Sequence, residues 1–205
     1  RRVFAARAPE MCSRLFHAGI RYQVRKDKLE PVPAPDLKLR DRFVDAAIAA
    51  GAAHLREDDG APEDFGRDYG RSYDAVTLQS LELTAVVLPE LGGRIYSLVH
   101  RDTGTELLRV IDPIRFVNFG PYDAGYEFSL DYRWHGRGTR GAYEVRQRSA
   151  TEVQMQMRMP KGLLIASRYG LRDDTLELEH TVTNGGDEEA ALTPMTHPEW
   201  SGALF

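Results

Sequence analysis

The feature that most constrains this chain is a series of short segments, beginning at Tyr73, in which apolar and polar residues alternate. A repeat of two residues is the period of a strand that buries one face and exposes the other. The segments are therefore predicted to be β-strands. They span residues 76–87, 94–100, 105–110, 141–148, 152–159, 163–171 and 175–183.

The links between these segments are short and have the composition of turns. Pro160-Lys161-Gly162, Asp173-Asp174 and Asn184–Asp187 leave no room for helical crossovers, so neighbouring strands are expected to be antiparallel. Many short strands with regular turns are typical of a sandwich or a barrel. The sequence therefore predicts a mainly β fold, an antiparallel β-sandwich.

Two strand faces can be assigned in advance. Met155, Met157 and Met159 stand two residues apart, which predicts one strand face that fills a core and is not a metal site. In the segment 94–100, simple alternation places Ile95, Ser97 and Val99 on one face, with Tyr96 and Leu98 on the other.

The first 72 residues have a different pattern. Helices are predicted over residues 10–19 and 41–50, with a half-exposed strand at 20–25 and an extended, proline-rich segment between them. This short α/β segment, residues 1–56, resembles the tail of an upstream domain that could pack against the sandwich. The polar residues 57–72 are predicted to be a linker, and residues 73–205 the sandwich.

Composition excludes several classes of protein. The chain has 205 residues, 28% of them charged, with a net charge of −4. This mildly acidic balance argues against nucleic acid or an anionic membrane as a partner. A single cysteine, Cys12, rules out a disulfide framework. No apolar run is long enough to span a membrane, and no signal peptide is visible, which favours a cytoplasmic location. The histidines lack metal-ligand spacing, so neither a metal nor another cofactor is expected.

One segment resembles a known family. The residues VVLPELGGRIYSLVHRDTGTELL, from Val86 to Leu108, look like the opening of galactose-mutarotase-like proteins. The resemblance combines Pro89, Gly92-Gly93-Arg94, Thr103-Gly104 and Glu106 at the expected spacing. With the two later segments it extends over about two thirds of the chain, and it implies the antiparallel supersandwich of that superfamily.

Two later segments extend the resemblance and imply catalytic residues. Trp134-His135-Gly136 is similar to the first histidine segment of aldose epimerases, and His197, in Thr196–Trp200, is similar to the second. In the epimerases the first histidine binds or polarises the sugar, the second protonates the ring oxygen, and a late glutamate is the base. The resemblance therefore makes His135 and His197 the catalytic candidates. The base would lie beyond Phe205, so the sandwich is expected to be incomplete at its C-terminal end.

Residues near these histidines are candidates for holding a sugar. The guanidinium of Arg94 suits vicinal hydroxyls, and aromatic faces can stack on sugar rings. Each candidate also has a plain structural interpretation, because the aromatics could be core, the histidines could lie in surface loops, and Glu127 could pair with an arginine such as Arg133. The predicted substrate-binding residues are Arg94, Tyr126, Glu127, Trp134 and Trp200.

Three functions follow, from different classes. The first is a carbohydrate-binding or accessory domain of a sugar-active protein such as a glycoside hydrolase, with a saccharide as its ligand. The second is an aldose-epimerase-like enzyme that uses His135 and His197. The third is a sandwich that only packs against a neighbouring domain. The sequence leaves open whether the chain is catalytic, which sugar it takes, and its oligomeric state.

Overall fold

The computed structural model describes residues 22–31, 72–110, 125–130 and 141–202. The chain divides into two compact units. Unit 1 contains residues 1–25, 29–72 and 111–123, and unit 2 contains residues 26–28, 73–110 and 124–205. The domain boundaries predicted above remain a prediction, because most of residues 1–72 lie outside the described ranges.

Near the start of the chain, the strands β1 (Tyr22–Arg25) and β2 (Lys28–Pro31) are neighbours in a small sheet. Strand β1 confirms the strand expected at residues 20–25. The two predicted helices, 10–19 and 41–50, lie outside the described residues. Within the described ranges, no helix has the length and apolar character needed to cross a bilayer.

Unit 2 is built from antiparallel strands in two main sheets, which confirms the predicted fold class. One sheet has four strands in the order β12-β11-β10-β9, and the other has the order β13-β8-β6-β5-β4, with β7 paired to β6. The strands of unit 2 are β3 (Tyr73–Asp74), β4 (Val76–Gln79), β5 (Leu83–Leu88), β6 (Arg94–His100), β7 (Thr105–Glu106), β8 (Tyr126–Ser129), β9 (Glu144–Arg148), β10 (Glu152–Arg158), β11 (Leu163–Arg172), β12 (Thr175–Asn184) and β13 (Met195–Pro198).

The core takes buried side chains from both sheets. Val87, Ile95 and Phe128 of the larger sheet belong to the same apolar cluster as Met155 and Ile165 of the smaller one. Burial of this apolar surface is the main force that holds two sheets face to face. The prediction that these methionines fill a core is confirmed, since Met155 and Met157 are 1% and 5% exposed and Met159 packs against the cluster.

A β-bulge changes the alternation predicted for β6. Ser97 lies opposite Val86, but Ile95 lies opposite the next residue, Val87, so Tyr96 is the extra residue of the bulge. Ile95 and Leu98 consequently both enter the core, where they are 0% and 4% exposed. The predicted separation of Ile95 from Leu98 on opposite faces was therefore wrong.

Glu106, in the segment that resembles the galactose-mutarotase-like family, stabilises the hairpin of β6 and β7. Glu106 in β7 accepts hydrogen bonds from the backbone N–H groups of Leu98, at 2.8 Å, and Leu108, at 3.2 Å, and from the hydroxyl of Ser97. A carboxylate that accepts several donors in this way stabilises the local backbone. In this chain Glu106 therefore holds β6 and β7 together.

Strand β8 lies between β6 and β13 and begins after a glycine that no other residue could replace easily. Gly125 has φ +77°, and a Cβ atom there would come within 1.8 Å of the Ile95 carbonyl oxygen. Glycine tolerates both the positive φ and the close approach. It thereby lets β8 lie directly against β6, which positions the residues discussed next.

Candidate functional site

Three charged or titratable side chains lie in a row across adjacent strands of the larger sheet. Tyr126 of β8 is paired with Ile95 on one side and with Pro198 on the other. One position along, Glu127 therefore stands between Arg94 of β6 and His197 of β13. Side chains directly opposite one another share a face of the sheet, so these three project to the same side.

The inner end of the row is a buried ion pair. The Arg94 and Glu127 side chains are 4% and 5% exposed, and Nη2 of Arg94 donates to Oε2 of Glu127. Burying either charge alone would be costly, and the pairing offsets much of that cost. Glu127 thus has an arginine partner, as one interpretation of the sequence allowed, but that arginine is Arg94. Arg133 lies outside the described residues.

Glu127 also fixes the orientation of His197. Its Oε1 lies 3.3 Å from Nδ1 of His197. A carboxylate only accepts hydrogen bonds, so Nδ1 is the nitrogen of the ring that donates to it. The His197 side chain is 40% exposed, so solvent and small molecules reach the ring. This is the arrangement of a histidine that can accept or donate a proton or a hydrogen bond at a defined position.

Two further residues extend the row outward. Nε2 of His197 lies 3.8 Å from Oε1 of Glu199, and Oε2 of Glu199 lies 3.4 Å from Nη1 of Arg109. Glu199 is 15% exposed and Arg109 is 56% exposed. We call these five residues the charged row: Arg94, Glu127, His197, Glu199 and Arg109. Glu199 and Arg109 were not among the sequence candidates.

Three backbone hydrogen bonds hold the outer end in place. The Arg109 N–H donates to the Glu199 carbonyl at 2.7 Å, the Glu199 N–H to the Gly125 carbonyl at 2.8 Å, and the Gly125 N–H to the Arg109 carbonyl at 2.9 Å. The three segments therefore have fixed relative positions, which restricts where the side chains of Arg109 and Glu199 can lie. Sites supported in this way lose less entropy when they bind a ligand.

The other sequence candidates lie elsewhere. Tyr126 projects to the opposite face of β8 and is 4% exposed. Trp200 is 53% exposed and forms a bridge with Leu108, and alternation along the chain turns its indole away from the side of Glu199. Trp134 and His135 lie outside the described residues. The structure thus brings Arg94, Glu127 and His197 together, and the binding roles of Tyr126 and Trp200 stay predictions.

Behind the row, Tyr126 belongs to a polar cluster inside the sandwich. Its hydroxyl lies 2.8 Å from Nε2 of His180, and the Ser167 hydroxyl lies 2.8 Å from Nδ1 of the same ring. The imidazole stacks on Phe128 with ring centroids 3.9 Å apart. Because His180 in β12 reaches Tyr126 in β8, the cluster joins the two sheets directly beneath the charged row.

Burial determines the protonation states in this cluster. It lowers the pKa of His180 to about 4 from its ordinary 6.5, and it raises the pKa values of Tyr126, Tyr143 and Tyr169. The imidazole is therefore neutral near pH 7 and the phenols keep their protons. A neutral imidazole has one donor and one acceptor, which matches the two hydroxyls that face it.

A depression lies on the smaller sheet, with a volume of about 400 Å³. Its lining includes Arg146, Gln154, Gln156, Arg168 and Glu179 and contains no aromatic ring. Its charged side chains are paired with one another or with neighbouring acids, for example Arg168 with Glu179 at 3.1 Å. The charged row, with its oriented and accessible histidine, is the better candidate for a functional site.

The described part of the chain holds no group of three or more His, Cys, Asp or Glu side chains arranged to bind a metal ion. The side chains of the charged row offer several kinds of chemistry. These can donate and accept hydrogen bonds, pair with ions and, at His197, transfer a proton.

Fold and site define unit 2 as an antiparallel β-sandwich with a polar row across its larger sheet. Its fold is galactose-mutarotase-like: the chain is similar to the galactose mutarotase related enzyme from Lactobacillus acidophilus, with a TM-score of 0.52 and 16% identity. The match covers 62% of this chain and 48% of that enzyme, so the chain spans about half the length of its relative. The recognition from the segment at residues 86–108 is confirmed at the level of the fold.

Other comparisons are weaker. Residues 63–135 match a family described as a domain of unknown function (DUF5107). A TPR-domain containing protein from Parabacteroides distasonis is similar with a TM-score of 0.45, at 21% identity, over 55% of this chain and 21% of that one. The 4-alpha-glucanotransferase from Thermococcus litoralis is similar with a TM-score of 0.38, at 12% identity, over 70% and 27%. Among curated proteins, none matches this sequence.

Proposed function

We propose that unit 2 binds a saccharide at the charged row, as a carbohydrate-binding or accessory domain of a sugar-active protein. The observation that carries this proposal is the orientation of His197, which Glu127 holds at 3.3 Å while the ring stays 40% exposed beside Glu199. Sugar hydroxyls need donors and acceptors at fixed positions, and such a row supplies both. The galactose-mutarotase-like fold is an independent observation that supports saccharide binding.

Saccharide binding can be tested with a panel of monosaccharides and oligosaccharides, followed by saturation-transfer NMR and calorimetry. At least one sugar is expected to bind, and His197→Ala is expected to weaken its binding by about tenfold or more, as for the loss of one well-placed hydrogen bond. The matched control is His100→Ala, a histidine at the end of β6 that lies outside the charged row. Absence of binding by every sugar, or an equal loss in the control, would contradict the proposal.

An epimerase is the second candidate, because Glu127 orients His197 beside Glu199, and an imidazolium in this position could donate its Nε2 proton to a sugar ring oxygen. If the chain is an enzyme, it should accelerate the exchange of sugar anomers, measured by polarimetry or by NMR. His197→Ala is then expected to lower the rate by about a hundredfold or more, the usual contribution of general acid–base catalysis. An unchanged rate in this variant would exclude the role assigned to His197, and His135→Ala tests its predicted partner.

The wider context of the domain is also a proposal. A saccharide-binding sandwich would hold a carbohydrate close to a catalytic domain such as that of a glycoside hydrolase. The third hypothesis, a purely structural sandwich, predicts that the chain binds no saccharide and accelerates no exchange of anomers. The two experiments above therefore separate all three functions.

A further inference from the structure

The charged row presents its charges unevenly to solvent. Its carboxylates are sheltered, with Glu127 5% and Glu199 15% exposed, while Arg109 and His197 are 56% and 40% exposed. A ligand that approaches the outer end therefore meets a guanidinium and an imidazole before it meets an acid. A ligand with a negatively charged group is therefore better suited to this surface than a ligand with a positively charged group.

The side chain of Arg109 has more N–H donors than it has partners among the described residues. Within the described part of the chain its side chain pairs only with Glu199, at 3.4 Å, a separation longer than a good hydrogen bond. A guanidinium offers five N–H donors in a planar fork, and that fork fits both oxygens of a carboxylate. The backbone hydrogen bonds to Glu199 and from Gly125 hold the Arg109 main chain in place. Arg109 can therefore bind a carboxylate without losing its position in the fold.

From this geometry we infer that the charged row selects an acidic saccharide, with a uronate carboxylate on Arg109 and sugar hydroxyls at His197 and Glu199. The inference rests on the proposed saccharide binding and names the class of sugar. The two arginines and two glutamates of the row balance in formal charge. A bound carboxylate therefore leaves these groups with an excess of one negative charge, next to the accessible guanidinium of Arg109. A bound phosphate leaves an excess of nearly two negative charges beside Glu199, which is less favourable.

The test compares sugars that differ in one group. Galacturonate and glucuronate are titrated against galactose and glucose, with galactose 6-phosphate as a third arm, by calorimetry or chemical-shift changes. The uronates are expected to bind about tenfold tighter than the matching neutral sugars, and this advantage should shrink between about 0.05 M and about 0.5 M salt because screening weakens exposed ion pairs. Arg109→Gln is expected to remove the preference. The control is Arg172→Gln, since Arg172 is 75% exposed on the smaller sheet.

Each result of these titrations tests a different part of the inference. Equal affinity for uronate and neutral sugar overturns the inference and leaves the proposed saccharide binding intact. Tighter binding of the sugar phosphate overturns the assignment of a carboxylate, and a preference that survives Arg109→Gln overturns the role of that residue. If no sugar of any class binds, the proposed function and the inference fall together.

Discussion

Replacing Arg94 by methionine is expected to lower the free energy of unfolding of unit 2 by about 3–5 kcal/mol, because Glu127 loses its guanidinium partner while its side chain stays buried. The contact with His197 remains, but one hydrogen bond does not replace the lost interaction with the guanidinium. Methionine keeps most of the length and apolar contacts of the arginine side chain, so the loss of the charge dominates. Urea denaturation, followed by both circular dichroism and fluorescence, measures the change.

Two variants make this prediction specific. The double variant Arg94→Met/Glu127→Leu removes both charges, so it should recover much of the lost stability, since apolar pairs often replace buried ion pairs without penalty. Arg172→Met breaks the exposed pair with Glu177, whose atoms are 3.1 Å apart, and should change stability by about 0.5 kcal/mol or less. If Arg94→Met costs less than about 1 kcal/mol, the buried pair does not have the importance assigned to it.

The second large effect is a loss of stability at acidic pH that is caused by the titration of His180. Burial lowers the pKa of this residue to about 4, so between pH 6.5 and 4 the unfolded chain takes up a proton that the folded chain does not. The folded state is therefore not penalised by His180 above about pH 6.5, and it loses stability as the pH falls towards 4. The loss over this range is about 2–3 kcal/mol. Protonation would also remove the acceptor that the imidazole offers to its two hydroxyl partners.

The measurement is the free energy of unfolding from pH 7.5 to pH 4, compared between variants. His180→Gln is expected to be less stable at neutral pH and to have a flatter dependence on pH in this range. His100→Gln, at a histidine that lies 3.2 Å from Thr103 at the surface, should keep the pH dependence of the unaltered chain. An unchanged slope in His180→Gln would show that other groups cause the acid sensitivity.

The two predictions concern opposite faces of the same strand. Glu127 and Tyr126 are neighbours in β8, one facing the charged row and the other bonded to His180 in the interior. The internal cluster therefore supports the strand that carries the central residue of the candidate site. A change that loosens the cluster is expected to disturb the position of Glu127 and, through it, the orientation of His197.

Local patterns in the sequence were sufficient for most of the strands. The segments predicted at residues 94–100, 152–159, 163–171 and 175–183 match β6, β10, β11 and β12 closely. Their alternation is strong because each strand buries one face against the other sheet. The strands β8 and β13 were missed. Each has only four residues, too short for a periodic pattern, and each owes its place to pairing with distant segments.

For the candidate site, the family resemblance nominated His197, while Arg94 and Glu127 were candidates because of their side-chain chemistry. Nothing in the sequence joined the three. Glu199 stands two residues after His197, so a strand at that position would have placed both on one face. Arg109 had no local signal, because it meets Glu199 across 90 positions of the chain.

Residues that are close together in the chain were therefore enough to predict the strand-rich fold class, the turns and most of the apolar faces. The tertiary structure alone decided which strands are neighbours, where the bulge at Tyr96 turns the backbone, and which charges meet. Those outcomes depend on contacts between distant segments, whose loop-closure cost is met only when the whole sandwich assembles.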